Sequence, residues 1–283
     1  MWFTLNKQKD WRNTSLGINM IRLLAFILLL FTLTSCNKTK SLLPNSGGNA
    51  FEVVLMNDST GIAAKRLQQP LEGLPQQEPT FTVVYNKKKQ LEGVIKYSRC
   101  ILNIAQKGYW IEKNKYAAPQ LIVHSDTANL EKAIDLINRF EMKNLESFLK
   151  HHHNAKAEEM VKKTFNLEML IPQDMTSSMK RKDFLWLSNN SATAMQNIII
   201  LRGNVDDMLR KNMKGETDEM YMTLAPNSLW EMKGDAMGGP YRAAKVKNTD
   251  ITVIVFTYAP GKEKRNLIRQ LNAVLYTIKQ YGK

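Results

Sequence analysis

The chain has 283 residues, and its 40 lysines and arginines against 26 aspartates and glutamates give a formal net charge of +14. Hydrophobic residues make up 43%, which is ordinary for a globular protein and excludes a largely disordered chain. The basic balance favours an anionic neighbour, although a charged surface that serves only solubility would give the same value.

The stretch from Met20 to Cys36 has the pattern of a bacterial secretory signal. Arg22 precedes an apolar run over Leu23–Phe31, about half of the roughly 20 residues that span a bilayer. Leu33-Thr34-Ser35 then leads into Cys36, and this tetrapeptide resembles the lipobox of bacterial lipoproteins. An ordinary signal peptide with an incidental cysteine, or an uncleaved helix, is the alternative.

The lipobox resemblance implies that the Cys36 thiol is lipidated and that cleavage occurs before it, so that two or three acyl chains anchor the protein. Residues 1–35 are then a signal peptide, for which Met20 is a plausible true start, and residues 36–50 are the lipidated cysteine and a flexible tether. Asn37 replaces the Asp that resembles an inner-membrane retention signal, and acidic surface-export residues are lacking in 37–40. The expected location is the periplasmic face of the outer membrane.

The expected periplasmic location also limits which partners the protein can contact. The first 35 residues hold four cations and one carboxylate, so the remainder keeps a net charge of +11. In the periplasm a basic protein does not meet nucleic acid. We therefore expect contact with the membrane through Cys36, and with an anionic envelope polymer, a lipid headgroup or a protein partner.

Residues 51–164 are predicted to form a first α+β half. A long amphipathic helix is expected from Leu130 to Phe148, with a break near His151–Asn154 and a second helical piece to about Thr164. The predicted strands are Phe51–Met56, Phe81–Tyr85 and Gln120–His124, together with a hairpin of Tyr97–Gln106 and Tyr109–Lys115.

Residues 165–283 are predicted to form a second α+β half. Its helices are expected at Val205–Asn212 and Arg265–Tyr281. The predicted strands are Phe165–Ile171, Asp183–Ser188, Asn197–Leu201 and Ile251–Phe256. Because strands mostly follow one another without intervening helices, we expect an α+β fold with mainly antiparallel sheet covered by long helices. The shared order of elements suggests that the two halves are related.

Several short motifs resemble one known family when they are taken in chain order. They are Leu43–Gly48, Leu74–Pro79, Arg99–Ile104, Ala118-Pro119-Gln120, Phe184–Trp186, Tyr221-Met222, Leu229-Trp230, Met237–Tyr241 and Tyr258-Ala259-Pro260, with the helix that follows Lys264-Arg265. The family is that of uncharacterised Bacteroidetes lipoproteins grouped as a domain of unknown function (the 4837 family). The resemblance covers Leu43–Gln280 and implies an envelope lipoprotein, but it supplies no catalytic residues.

The stretch Met237–Tyr241, Met-Gly-Gly-Pro-Tyr, is the most site-like motif. Gly238 and Gly239 would allow positive φ angles, so that exposed amides could bind an anion or a carbonyl oxygen. Tyr241 and Arg242 would add a stacking face and a charge, and Trp230 could lie nearby. A tight turn stiffened by Pro240 is the alternative.

Lys264 and Arg265 are the other candidate ligand-binding residues. They lie in the first turn of the last helix, where the helix dipole disfavours cations. A bound phosphate or a nearby carboxylate would explain them, and a solvated patch is the alternative.

No catalytic or metal-binding motif is evident, and no cofactor is predicted. Cys100 is expected to be a buried, inert thiol, and consecutive histidines at 151–153 point in different directions on a helix. The sequence therefore predicts a protein that binds or scaffolds. An envelope hydrolase with a site near Met237–Tyr241 is the rival hypothesis, and a metal protein using His124 and the histidine run is a third.

Overall fold

A computed structural model describes residues 43–88 and 90–280, so the predicted signal and lipobox at Met20–Cys36 lie outside the described residues. The helices are α1 (Ile62–Leu67), α2 (Leu130–His151), α3 (Ala155–Phe165), α4 (Val205–Asn212) and α5 (Arg265–Leu275), with 3-10 turns at Gly93–Tyr97 and Thr127–Asn129. The strands are β1 (Glu52–Met56), β2 (Thr82–Asn86), β3 (Cys100–Ile104), β4 (Tyr109–Lys113), β5 (Leu121–Ser125), β6 (Leu167–Glu168), β7 (Ser177–Arg181), β8 (Phe184–Ser188), β9 (Met195–Arg202), β10 (Met222–Leu224), β11 (Leu229–Met232), β12 (Gly238–Lys245), β13 (Ile251–Tyr258) and β14 (Lys279–Gln280).

The first sheet has five strands in the order β2-β1-β3-β5-β4. β1 pairs in parallel with β2 and β3, β3 pairs in parallel with β5, and β4 runs antiparallel to β5. The predicted hairpin of β3 and β4 is therefore wrong, because β5 lies between them. β3 and β5 are largely buried on both faces, as central parallel strands are, whereas β4 is half exposed and forms the edge.

The second sheet has seven antiparallel strands in the order β10-β11-β12-β13-β9-β8-β7. β9 and β13 pair over eight residues at its centre, as the apolar sequence of β9 predicts. The strand predicted at Phe165–Ile171 is reduced to the two residues of β6, since Phe165 ends α3. Residues 238–241 of the predicted turn are part of β12, and Met237 directly precedes it, so the predicted turn there is wrong.

The α+β class is confirmed, with antiparallel pairing in the second sheet and a mixed first sheet. Long helices over both sheets are not confirmed, because α2 has 22 residues and the other four α-helices have between 6 and 11. The predicted break holds: α2 ends at His151, and the Asn154 side chain caps α3 by accepting from Ala157 N. The two sheets differ in strand order and polarity, so the topology gives no support to related halves.

Helix α5 connects the two sheets. It packs on β9, β12 and β13 of the second sheet and on α2, which itself covers β5 of the first sheet. Its apolar side chains Ile268, Leu271 and Val274 are buried in the core of the second sheet. The residues from Pro44 onward form one compact unit, and the polar first turn of α5 lies within it.

Candidate functional site

Trp230 is buried beneath the glycine-containing part of β12. Its side chain is 3% exposed, and its indole Nε1 donates a hydrogen bond to the Thr257 carbonyl oxygen at 3.1 Å. The ring meets Phe256 edge-on at a centroid distance of 5.1 Å. This buried indole, with its polar atom paired, forms part of the core and does not present a face to a ligand.

Gly239 makes room for that indole. A Cβ atom at this position would overlap the Thr257 carbonyl oxygen and would lie 3.0 Å from Trp230 Nε1. Neither Gly238 nor Gly239 has a positive φ angle, and both pair in register with β11. The predicted amide cradle is therefore wrong, because close packing between strands is what requires the glycine.

Tyr241 and Arg242 point to opposite faces of β12, as neighbours on a strand must. Tyr241 Oη donates to Ala225 O at 3.0 Å and packs with the Trp230 cluster. Arg242 donates from Nη2 to Glu72 O at 3.0 Å on the other face. Trp230 and Tyr241 therefore lie together in a hydrophobic cluster, whereas Arg242 lies on the opposite face of β12.

A surface pocket of about 330 Å³ lies beside Gly238. Its polar lining includes the carboxylates of Glu231 and Asp235 and the Asn227 side chain. Among the described residues that line it there is no serine, cysteine or histidine that could act as a nucleophile or as its imidazole base.

Lys264 and Arg265 are buried, with 4% and 3% of their surfaces exposed. The buried Glu78 carboxylate accepts from the backbone N of Lys264 through Oε1 and from that of Arg265 through Oε2, both at 2.8 Å. A carboxylate does lie beside this turn, but it accepts from the backbone N–H groups and forms no ion pair with either side chain among the described residues. A solvated patch is wrong, because Glu78 caps the first turn of α5 from another part of the chain.

The Arg265 side chain fastens this turn to the first sheet. Its guanidinium donates from Nη1 to Pro79 O and from Nη2 to Thr82 Oγ1 at 2.9 Å. We call Glu78, Lys264 and Arg265 with these contacts the α5 clamp. Since Glu78 and the Arg265 guanidinium make these hydrogen bonds within the protein, the clamp is a structural fastening.

A second buried charge cluster surrounds Glu141 on α2, which is 1% exposed. Its carboxylate accepts from Arg99 Nε at 2.7 Å and from Phe51 N at 2.8 Å. Cys100 Sγ lies 3.1 Å from Glu141 Oε1, and burial together with this carboxylate raises the pKa of the Cys100 thiol well above its usual value. The predicted buried thiol is confirmed.

A cavity of about 350 Å³ opens between α2, α5 and residues 71–81. We call it the arginine crevice, because Arg242 and Arg269 both line it. On the α2 side its wall carries Glu131, Ile134, Asp135, Asn138 and Met142, and on the α5 side Ile268, Asn272 and Tyr276. These spacings of three and four residues place each set on one helix face.

Arg269 is the residue that sequence reasoning missed. It is 7% exposed, its guanidinium lies 3.8 Å from the Phe51 ring centroid, and Nη1 donates to Thr80 O at 2.7 Å. Burial and the neighbouring Arg265 lower its pKa, and burial also lowers that of Arg242. The available signal was a cation beside Ile268 on the apolar side of a strongly amphipathic helix.

His124, His152 and His153 are engaged in other contacts. His124 lies 2.9 Å from Glu112 and stacks on Trp110, while His153 contacts Glu158 at 3.0 Å. Within residues 43–88 and 90–280, no group of three or more histidine, cysteine, aspartate and glutamate side chains is arranged to hold a metal. Over the same ranges, no helix has the length and apolarity that a membrane span requires.

Two family models match successive parts of the chain. Residues 154–277 match the model described as a domain of unknown function (DUF4837), and residues 46–162 match a second, also described as a domain of unknown function (DUF8532). No curated protein and no solved structure matches the chain. The 4837 resemblance expected over Leu43–Gln280 is thus confirmed for the C-terminal part, while the N-terminal part matches a different model.

Proposed function

We propose that this chain, whose residues 154–277 match the model of a domain of unknown function (DUF4837), is a lipid-anchored envelope protein that binds or scaffolds. In this proposal Cys36 carries the lipid, and the folded part faces the periplasm from the outer membrane. Its support is the lipobox sequence, the Asn at position 37 and the positive charge of the part after residue 35.

The observation that carries the binding role is the arginine crevice. It is a concave space of about 350 Å³ whose wall combines apolar side chains such as Ile134, Met142 and Ile268 with the side chains of Arg242 and Arg269. Small-molecule sites have this composition of mostly apolar surface with a few placed polar groups. Lys264 and Arg265, the other cations that the sequence singled out, make their contacts within the α5 clamp.

The hydrolase alternative receives no such support. The glycine motif on which it rests is part of a strand, and the space beside Gly239 is filled by Trp230 and the Thr257 carbonyl oxygen. The pocket beside Gly238 offers carboxylates, but it has no nucleophile with an adjacent imidazole among the described residues.

The anchor is tested with Cys36→Ser and the matched control Cys100→Ser in the same full chain. We expect Cys36→Ser to abolish labelling by a fatty-acid probe and to release the protein from the membrane fraction. Cys100→Ser should leave both unchanged, because the Cys100 thiol is buried beside Glu141. Undiminished labelling of Cys36→Ser would refute the lipoprotein assignment.

The scaffold role is tested by crosslinking in intact cells, followed by identification of the captured partner. A discrete partner recovered from the wild-type chain and lost with Cys36→Ser is the expected outcome. Recovery of abundant envelope proteins alone would count against a scaffold.

A further inference from the structure

The arginine crevice contains hydrogen-bond donors that the protein leaves unused. Arg269 donates one hydrogen bond, to Thr80 O, and neither further acceptors nor an ion-paired carboxylate for it occur among the described residues. A guanidinium has five N–H donors, and holding it 7% exposed is costly, although the charge of Glu141 and the Phe51 ring offset part of that cost. The pKa of Arg269 is lowered because burial disfavours the charged form of its guanidinium.

The carboxylates that line the same space are already paired. Glu131 forms an ion pair with Arg66, and Asp135 with Arg139 at 3.0 Å. Arg242 adds a second guanidinium to the lining, held by the carbonyl oxygens of Glu72 and its own neighbour Tyr241. The crevice therefore combines two guanidinium groups, neither of them in an ion pair among the described residues, with apolar side chains that include Ile134, Met142 and Ile268.

We propose that the arginine crevice binds the carboxylate of a small amphipathic monoanion, with Arg269 as the principal donor and Arg242 beside it. This deepens the proposed binding function by naming the ligand class. The apolar part of the ligand would lie along Ile134 and Met142. Tyr276, which is 65% exposed, also lines this space.

The wall composition selects a monoanion over a multiply charged one. A planar carboxylate matches the fork of a guanidinium and can accept two parallel hydrogen bonds. Glu131 and Asp135 would repel a second negative charge, because they stay in the wall even when paired with Arg66 and Arg139. Inorganic phosphate, which is partly dianionic at neutral pH, should therefore bind more weakly than a monocarboxylate.

The test is isothermal titration of the purified full chain in non-ionic micelles with three probes: hexanoate, its neutral counterpart hexanamide, and inorganic phosphate. Heats of dilution into protein-free micelles are subtracted. We expect saturable hexanoate binding at least tenfold tighter than either other probe. Equal binding of hexanoate and hexanamide, tighter binding of phosphate, or no hexanoate binding at millimolar concentration would overturn the proposal.

Variants locate the binding. Arg269→Met should weaken hexanoate binding at least tenfold, and Arg242→Met several-fold. The control Arg210→Met removes the same charge on α4, where the guanidinium lies over Tyr221, and should change nothing. If Arg269→Met fails to fold, the three-probe comparison on the wild-type chain still decides. Hexanoate binding that survives Arg269→Met refutes the assignment to the crevice.

The ligand-binding proposal and the proposed envelope function can fail independently of each other. A chain that is lipidated at Cys36 and captures a partner, yet ignores hexanoate, would retain the envelope role and lose only the ligand. A chain that binds hexanoate but carries no lipid would lose the anchor and keep the crevice.

Discussion

Arg265 and Arg269 lie one turn apart on α5, and both are more than nine-tenths buried, but their surroundings differ. Arg265 belongs to the α5 clamp, where Pro79 O and Thr82 Oγ1 accept from its guanidinium and Glu78 caps its backbone N–H. Arg269 borders an open cavity and donates one hydrogen bond, to Thr80 O. Two arginines on one helix therefore have different roles: Arg265 fastens the helix, and Arg269 lines a cavity.

The difference shows that satisfied donors, and not charge alone, separate a fastening from a site. A buried polar group whose partners are complete contributes to the fold, whereas an incomplete one is retained at a cost that a ligand can relieve. If this distinction is right, removing clamp contacts should mainly change stability, and removing crevice contacts should mainly change binding.

The largest effect is expected for Glu78→Ala. The substitution leaves the N–H groups of Lys264 and Arg265 without their carboxylate, two charge-assisted hydrogen bonds of about 1.5–3 kcal/mol each. We expect a loss of about 3–5 kcal/mol in the free energy of unfolding, measured by urea denaturation. Glu263→Ala, an exposed neighbour of the same turn, should stay within about 0.5 kcal/mol. A small loss for Glu78→Ala would mean that the clamp does not hold α5.

Arg265→Met and Arg269→Met compare the two regions directly. Arg265→Met removes hydrogen bonds to Pro79 O and Thr82 Oγ1 and should cost about 2–3 kcal/mol of unfolding free energy. Arg269→Met loses one hydrogen bond but also removes a costly buried charge, while an unbranched side chain still covers Phe51, so a change within about 1 kcal/mol is expected. Urea unfolding of both variants without added ligand provides the measurement, and the reverse order would remove the distinction.

Gly239→Ala tests whether the glycines of β12 serve packing. A Cβ atom would meet the Thr257 carbonyl, which is backbone and cannot turn aside, so a loss of about 1–3 kcal/mol is expected in thermal or urea unfolding. Gly47→Ala is the matched control, since its Cβ would have nothing within 4 Å and its φ angle is not positive. Equal stability of the two variants would reopen Gly239 as a ligand-facing position.

Local patterns in the sequence predicted much of the fold. The apolar run of β9 and the helical spacing of α2 are found where expected, because their own residues determine burial. The polarity of the first sheet could not be predicted, because the pairing of β3 with β5 depends on a partner distant in the chain. The edge strand β7 is polar and exposed, and therefore has no apolar signal.

The candidate site was harder to predict for a related reason. A glycine pair indicates either a turn or a close approach, and only the position of Trp230 decides between them. Lys264 and Arg265 suggested an anion, and the anion is Glu78, almost two hundred positions earlier in the chain. Arg269 could have been noticed from its place on the apolar side of α5, but its unused donors are visible only in the structure.

The smallest effect is expected for the pH dependence contributed by Cys100, which belongs with the fully partnered groups. Burial and Glu141 raise the pKa of this thiol in the folded protein, so the folded state keeps a proton that the unfolded thiol loses above about pH 8.5. The contribution of Cys100 to the free energy of unfolding is therefore constant below about pH 8.5 and decreases as the pH rises above it. Relative to Cys100→Ser, the wild-type chain should lose less than about 1 kcal/mol between pH 7 and 9, because the slope above about pH 8.5 is at most about 1.4 kcal/mol per pH unit. Urea unfolding over that pH range provides the measurement. Parallel profiles would show that the thiol ionises freely in the folded state and that the Glu141 cluster is open to water.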